Sequence, residues 1–399
     1  MSFNKKLQDK LKLLKQQQLY RTRQLVESAQ DVNLSVNNKN LINFCSNDYL
    51  GLANHSELKK AFKQAADTYG VGSGASQLIT GHQKPHRALE EELAEFLGCE
   101  RVLLFSTGYM ANLGLVSALS DRQDEIFEDK LNHASLIDAA LLSRASLKRF
   151  AHKDYAVLEQ QLIKSNAETK FILSDGVFSM DGDKANVNPL IDVANKNNSV
   201  LIIDDAHGIG VLGESGRGII EEAGVSITEA ELPILVGTFG KAFGTFGAFV
   251  AGSEALIESL INLSRSYIYT TAMPAAVAEA TRTSLNLIQQ GQELREKLQN
   301  NIQYFRKSCI ENDLPLSADP EYGQHSAIQP LIIGAEDKAL ALSLSLKEQG
   351  FLISAIRPPT IPKNTSRLRI TLSASHTFEQ IDKLIDALNN CYKEQNKCA

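Results

Sequence analysis

Cysteine is scarce in this chain and poorly placed for cross-links. Cys45, Cys99, Cys309, Cys391 and Cys398 are odd in number and widely spaced, with no Cys-x-x-Cys pair. They are expected to be free thiols in a reducing compartment, and neither a disulfide framework nor a zinc site is supported. With 25 glycines and 10 prolines in 399 residues, a collagen-like or low-complexity polymer is excluded. Uninterrupted hydrophobic runs are also missing. The longest apolar stretch, 233–252, carries Lys241 near its centre and is broken by glycines, so hydropathy and helix propensity both argue against a membrane span. Positive charge is not in excess: 41 Lys and Arg against 47 Asp and Glu give a net charge of −6. Nucleic-acid binding over the whole surface is therefore not expected. The first residues lack the apolar core of a secretion signal, and the expected compartment is the cytoplasm.

What is present is ordinary globular composition, 43% hydrophobic and 22% charged. A chain of this length exceeds what one hydrophobic core usually holds, so two domains and an arm are expected. Residues 1–23 hold seven Lys or Arg and one Asp, with Leu7, Leu11 and Leu14 at helical spacing. They read as a basic amphipathic helix, an arm packed by its leucines or an electrostatic contact for an anionic substrate or carrier. Residues 87–97 place Leu89, Leu93, Phe96 and Leu97 on one helical face, with Gly98 as a stop. Short apolar runs at 102–105, 171–173, 200–203, 234–236 and 248–250 end in polar or glycine-rich turns. Alternating with helical patterns, they predict an α/β fold with a mostly parallel sheet covered on both faces. A long helical stretch at 275–313 leads to a smaller unit with strand candidates at 331–333, 352–355 and 368–372. That unit closes with a helix opened by a capping box, Thr377 with Gln380. The expected division is an arm over 1–45, a large domain over 46–285 and a smaller α+β domain over 286–399.

Two glycine motifs are decoys. Gly208-Ile-Gly-Val-Leu-Gly213 matches the dinucleotide fingerprint of a nicotinamide oxidoreductase, but four residues separate it from its strand and no apolar-periodic helix follows. Gly70-Val-Gly-Ser-Gly-Ala75 follows a helical pattern instead of a strand. His82 and His86 flank Pro85 without a carboxylate at ligand spacing, so they read as loop residues and not as metal ligands.

The informative segments lie at predicted strand ends, where open α/β sheets gather ligands. The run 200–207 delivers Asp204 and His207, and ionising a carboxyl there is costly unless a cation pairs with it. The run 234–241 delivers Lys241 between Gly240 and Gly244, and apolar surroundings lower a lysine's pKa toward the neutral amine that a Schiff base needs. An aspartate for a pyridinium nitrogen and a lysine for an aldehyde are the two groups that pyridoxal 5'-phosphate demands. The strand–glycine–helix turn at 103–109 supplies an anion site for its phosphate.

With Asn47-Asp-Tyr-Leu-Gly-Leu52, Asn132-His-Ala-Ser135, Asp175-Gly-Val-Phe-Ser-Met-Asp-Gly182, Asp204-Asp-Ala-His-Gly208 and Thr238-Phe-Gly-Lys241, the chain resembles the α-oxoamine synthases over nearly its whole length. These are fold-type I pyridoxal-phosphate transferases. Ile356-Arg-Pro-Pro-Thr360 and Thr365-Ser-Arg-Leu-Arg369 are most similar to members that join L-alanine to a pimeloyl thioester in biotin synthesis, the acyl group arriving on coenzyme A or on an acyl carrier protein. Sister enzymes that use glycine share the cofactor residues. The resemblance implies Lys241 on the cofactor aldehyde, Asp204 on the pyridinium, His207 and Ser179 on the ring hydroxyl and His133 stacked on the ring. It implies Gly108, Tyr109 and Thr238 at the phosphate, with Thr270 or Thr271 reaching the phosphate of the other subunit in a homodimer. Arg369 would hold the amino-acid carboxylate, with Asn47, Arg21 and Thr360 on the substrate side. Where the family often has glutamate this chain has Asp175, to which no role is assigned. Arg357, on a loop stiffened by two prolines, is a candidate partner for the distal pimeloyl carboxylate.

Overall fold

The apolar runs become the strands of one sheet, because each alternates side chains between two covered faces. A computed structural model describes residues 2–17, 19–225, 233–317 and 322–397; Cys398 lies outside them. Seven strands stand in the order Arg101–Phe105, Ala248–Gly252, Ile234–Thr238, Val200–Asp204, Lys170–Asp175, Glu125–Asp129, Ser146–Phe150. All run parallel except Ala248–Gly252, which is antiparallel to both neighbours. Leu103, Phe105, Phe171, Leu173, Ile202, Val236 and Val250 pack on one face beneath helices Gly108–Leu119, Ala134–Ser143 and Glu254–Leu263. Their neighbours one residue along, such as Leu104, Ile172, Ile203, Leu235 and Phe249, join the core on the other face. Burial on both sides explains why these strands read as unbroken apolar runs.

Helix Lys84–Leu97 begins three residues before the predicted start, with Pro85 in its first turn, and Gly98 ends it at φ 71°. His86 is therefore helical and not part of a loop. Its Nδ1 accepts from the Gln83 N–H, closing a capping box, and Nε2 lies 2.7 Å from the Met273 carbonyl. Among the described residues no cluster is suited to a metal, and no helix is long and apolar enough to cross a membrane.

The stretch expected as one helix over 275–313 is two, Ala275–Gln289 and Gln292–Glu311, parted at Gly291. The strand expected over 352–355 also divides. Phe351–Leu352 joins Asn33–Val36 and Lys39–Asn43, while Ser354–Ile356 joins Ser366–Thr371 and Ile328–Gly334. A period-2 pattern cannot reveal a chain that changes sheets within one residue. The Thr377–Gln380 capping box is present, with reciprocal bonds of 3.1 and 3.2 Å. The basic arm forms a helix only over Phe3–Gln16, and it buries no residue. Its Leu7 and Leu11 are exposed and its Leu14 is half-buried.

Candidate active site

Ser106, His133, Asp175, Asp204 and Thr238 all lie at or just beyond the carboxyl ends of sheet strands, and together with Lys241 they line a cavity of ≈ 490 Å³. Parallel strands end on one rim, so residues far apart in sequence converge there. Asn47, Gly108, Tyr109, Ser179, His207 and Arg369 also line it. The cavity thus gathers ten of the residues singled out in the sequence. Arg21, Arg357 and Thr360 line a neighbouring cavity of ≈ 850 Å³ with Arg23 and Lys347. Ser354 and Ile356 border both cavities. Thr270 and Thr271 line neither; Thr271 is exposed and bridges Ser76.

Lys241 is held in an apolar, glycine-lined turn closed by Gly244 N–H to the Lys241 carbonyl at 2.9 Å. Desolvation pulls its pKa down from the ordinary lysine value, against the opposing charges of Asp204 and Asp175, which makes the amine easier to deprotonate. Asp204 Oδ1 accepts the Ala206 N–H at 3.0 Å, and Oδ2 accepts Asn112 Nδ2 at 2.6 Å. The same amide donates to Ser135 Oγ at 2.9 Å, and Ser135 Oγ lies 2.7 Å from His133 Nδ1. Asn112, fully buried on the apolar helix Gly108–Leu119, therefore ties Asp204 to His133. Sequence reasoning missed Asn112, although a lone amide in an apolar helix face was a signal available to it.

His133 caps helix Ala134–Ser143 by accepting the Ser135 N–H at Nδ1. Burial disfavours its charged form and lowers its pKa, against the pull of Asp204. His207 is half-buried at the cavity wall, and desolvation with the nearby Lys241 and Arg369 charges holds its pKa well below the ordinary histidine value. Its Nδ1 lies 2.7 Å from Tyr49 Oη, which in turn donates to Asn47 Oδ1 at 3.2 Å. Since Asn47 Oδ1 can only accept, His207 is assigned the Nδ1–H tautomer, leaving Nε2 to accept. Arg369 donates to the Ser179 carbonyl at 2.6 Å and to Asn47 Oδ1 at 3.3 and 3.4 Å. Asp175, given no role above, accepts the His133 N–H through Oδ2 at 3.1 Å. Burial, then the neighbouring Asp204 charge, raises its pKa well above the ordinary aspartate value.

The residues present fit pyridoxal 5'-phosphate. Thr238 Oγ1 and Asp175 Oδ1 are buried without a hydrogen-bond partner, so each can bond to a guest at this site. Helix Gly108–Leu119 opens on the cavity, and its first N–H groups have no acceptor within the helix. A Cβ at Gly108 would come within 2.6 Å of Thr238 Cγ2, so only glycine lets these two phosphate candidates sit so close. Gly208–Gly213, by contrast, serves packing. Gly208 lies against the buried Asp205 carboxylate, and a Cβ at Gly210, whose φ is +86°, would meet Ala242 Cβ at 2.8 Å. The nicotinamide reading fails because these glycines turn inward to pack the chain.

The family model described as aminotransferase class I and II matches residues 39–388. An 8-amino-7-oxononanoate synthase from Methylococcus capsulatus is 54% identical over 96% of this chain and 97% of its own. Among solved structures, a serine palmitoyltransferase from Sphingomonas wittichii superposes with a TM-score of 0.91 at 31% identity, covering 99% of this chain and 98% of that one. An 8-amino-7-oxononanoate synthase from Francisella tularensis gives a TM-score of 0.77 at 33% identity over 89% of this chain and 99% of its own.

Proposed function

The chain belongs to the class I and II aminotransferase family, and on that premise we propose that it condenses L-alanine with a pimeloyl thioester, losing carbon dioxide, as an 8-amino-7-oxononanoate synthase. Relatives bearing that name match nearly the whole chain at about half identity. The observation that carries the reading is one cavity lined by both Lys241, whose pKa desolvation lowers, and Asp204, with Arg369 and Asn47 bonded together on its substrate side.

Pyridoxal 5'-phosphate, bound through its aldehyde to Lys241, supplies an electron sink for negative charge building at the amino-acid Cα. The protein's own groups do the rest. Asp204, fixed by Asn112 and the Ala206 N–H, would hold a proton on the ring nitrogen. His133 would cover one ring face, while His207 and Ser179 would hydrogen-bond to the ring hydroxyl. Gly108, Tyr109 and Thr238 hold the phosphate. Arg369 and Asn47 orient the alanine carboxylate, which decides which Cα bond stands perpendicular to the ring. Lys241, once freed from the aldehyde, would be the general base for the alanine Cα proton and the source of the proton returned there.

The larger cavity, bordered by Ser354 and Ile356 on the Lys241 side, takes the acyl chain. Arg21, Thr360 and Arg357 are its polar contacts, and coenzyme A or an acyl carrier protein delivers the thioester. The large domain over 46–285 carries the cofactor, and the small domain over 286–399 brings Arg369. A cytoplasmic homodimer, with Thr270 or Thr271 reaching the other subunit's phosphate, completes the proposal.

The test is a matrix of alanine, glycine and serine against pimeloyl, acetyl, succinyl and palmitoyl thioesters. Turnover concentrated on alanine with pimeloyl is expected. Preference for glycine with acetyl or succinyl, or for serine with palmitoyl, would overturn the reading in favour of a sister activity.

The two arginines are expected to separate kinetically. Arg369→Lys replaces a planar fork with a point charge, so alanine binding, read from the cofactor spectrum, should weaken strongly. Arg357→Ala should raise KM for the pimeloyl thioester and leave alanine's dissociation constant nearly unchanged. The reverse pattern would mean that the two assignments are exchanged.

A further inference from the structure

Outside the cavity, one histidine touches two buried carboxylates. His152 Nδ1 lies 3.0 and 3.1 Å from the two oxygens of Asp129, and Nε2 lies 2.8 Å from Asp183 Oδ2. A neutral imidazole carries a single N–H, so a ring that donates at both ends is an imidazolium. Asp129 and Asp183 are almost fully buried, and the edge-on ring contact between His152 and Phe178, with centroids 4.4 Å apart, fixes the imidazole plane.

Each carboxylate roots a segment that carries an active-site group. Asp129 ends strand Glu125–Asp129 and accepts the Leu131 N–H at 2.8 Å, two residues before His133. Asp183 closes a tight turn, in which Phe178 N–H bonds to the Asp183 carbonyl at 2.9 Å and Gly182 N–H to the Phe178 carbonyl at 2.8 Å. That turn presents Ser179, whose carbonyl holds Arg369, and Asp181, which pairs with Arg367.

We propose that the His152 imidazolium is a positioning residue: it clamps the His133 segment to the 178–183 turn and so sets where Arg369 meets the amino-acid carboxylate. This rests on the reading of Arg369 given above. Burial disfavours the charged ring, but hydrogen bonds to Asp129 and Asp183 and their charges outweigh it, lifting the pKa to about 9. The other titratable groups nearby are Lys153, whose Nζ is 3.0 Å from Asp183 Oδ2, and Tyr155, which feels both aspartates. Because the folded pKa lies above the ordinary value of about 6.5, the bridge is complete at neutral pH and below. It is lost as pH rises through about 9.

The experiment compares cofactor-loaded native protein with His152→Gln and His152→Lys. Glutamine is neutral and cannot donate at two ends, whereas lysine restores charge and several donors. His152→Gln is expected to keep its cofactor but to raise alanine's dissociation constant at least about tenfold, as misplacement of a substrate clamp does; His152→Lys should recover much of it. An unchanged alanine constant in loaded His152→Gln, or a loss that His152→Lys does not recover, would overturn the proposal. Should neither variant fold, histidine-labelled native protein still decides by NMR. One imidazole should keep both protons until pH approaches about 9, and no ring titrating above the ordinary histidine range would refute the bridge. Arg369→Lys, measured alongside, reports separately on the reading of Arg369.

Discussion

Lys241→Ala is expected to give a folded protein whose turnover falls by about 10⁴, the upper end of what a positioned general base contributes. Two properties of one side chain are removed together. In the proposed function Lys241 holds the cofactor aldehyde, and its amine, its pKa lowered by desolvation, is the base for the Cα proton. The change should not disturb the core, since the residue sits in a turn at the cavity rim and not in a packed strand. Borohydride reduction followed by intact-mass measurement is the check: native protein should gain the mass of a reduced cofactor and the variant should not. A covalent adduct persisting in Lys241→Ala would place the linkage on another lysine.

Asp204→Asn is expected to lower turnover by on the order of a hundredfold or more, the usual cost of removing a preorganised electrostatic group. The substitution is nearly isosteric, and the Ala206 N–H can still bond to the remaining carbonyl oxygen. What it loses is the negative charge proposed to keep a proton on the ring nitrogen. It also sets the Asn112 amide, now donating to Asp204 Oδ2, against a second amide. Cofactor affinity should fall far less than turnover, because the phosphate contacts and Lys241 remain. Turnover reduced only a few-fold at saturating cofactor would show that the ring nitrogen does not depend on Asp204.

Much of this site was legible because parallel α/β sheets put chemistry at strand ends. An apolar run followed by Asp204 or by Lys241 announces both a buried strand and the group it delivers. Arg367 and Arg369, two residues apart in one strand, share a face by alternation, and both reach the same 179–181 segment. The legible residues share one trait, which is that their local pattern and their chemical role agree.

Other contributions had no local signature. Asn112 and Asp175 act through partners that lie 92 and 42 residues away in sequence, and only folding reveals the distance between them. His152 reads as one histidine in a polar turn, and nothing nearby in sequence foretells two carboxylates meeting its ring. The switch of sheets around Ile353 and the break at Gly291 were hidden for a related reason. Periodicity describes one element's own faces and carries no information about which neighbour covers them.

The sequence by itself determined the α/β class, the strands of the central sheet that end at Asp204 and Thr238, and the family likeness that points to pyridoxal 5'-phosphate. These follow from composition, period and motif, which are properties of contiguous residues. Tertiary structure alone decided that the glycines at 208–213 pack the chain around Asp205, and that the substrate candidates divide between two cavities meeting at Ser354 and Ile356. It also decided that the charge of His152 joins two loops of the site. Each depends on burial and on pairs remote in the chain, where a group's protonation and hydrogen bonding are set by what folding brings beside it.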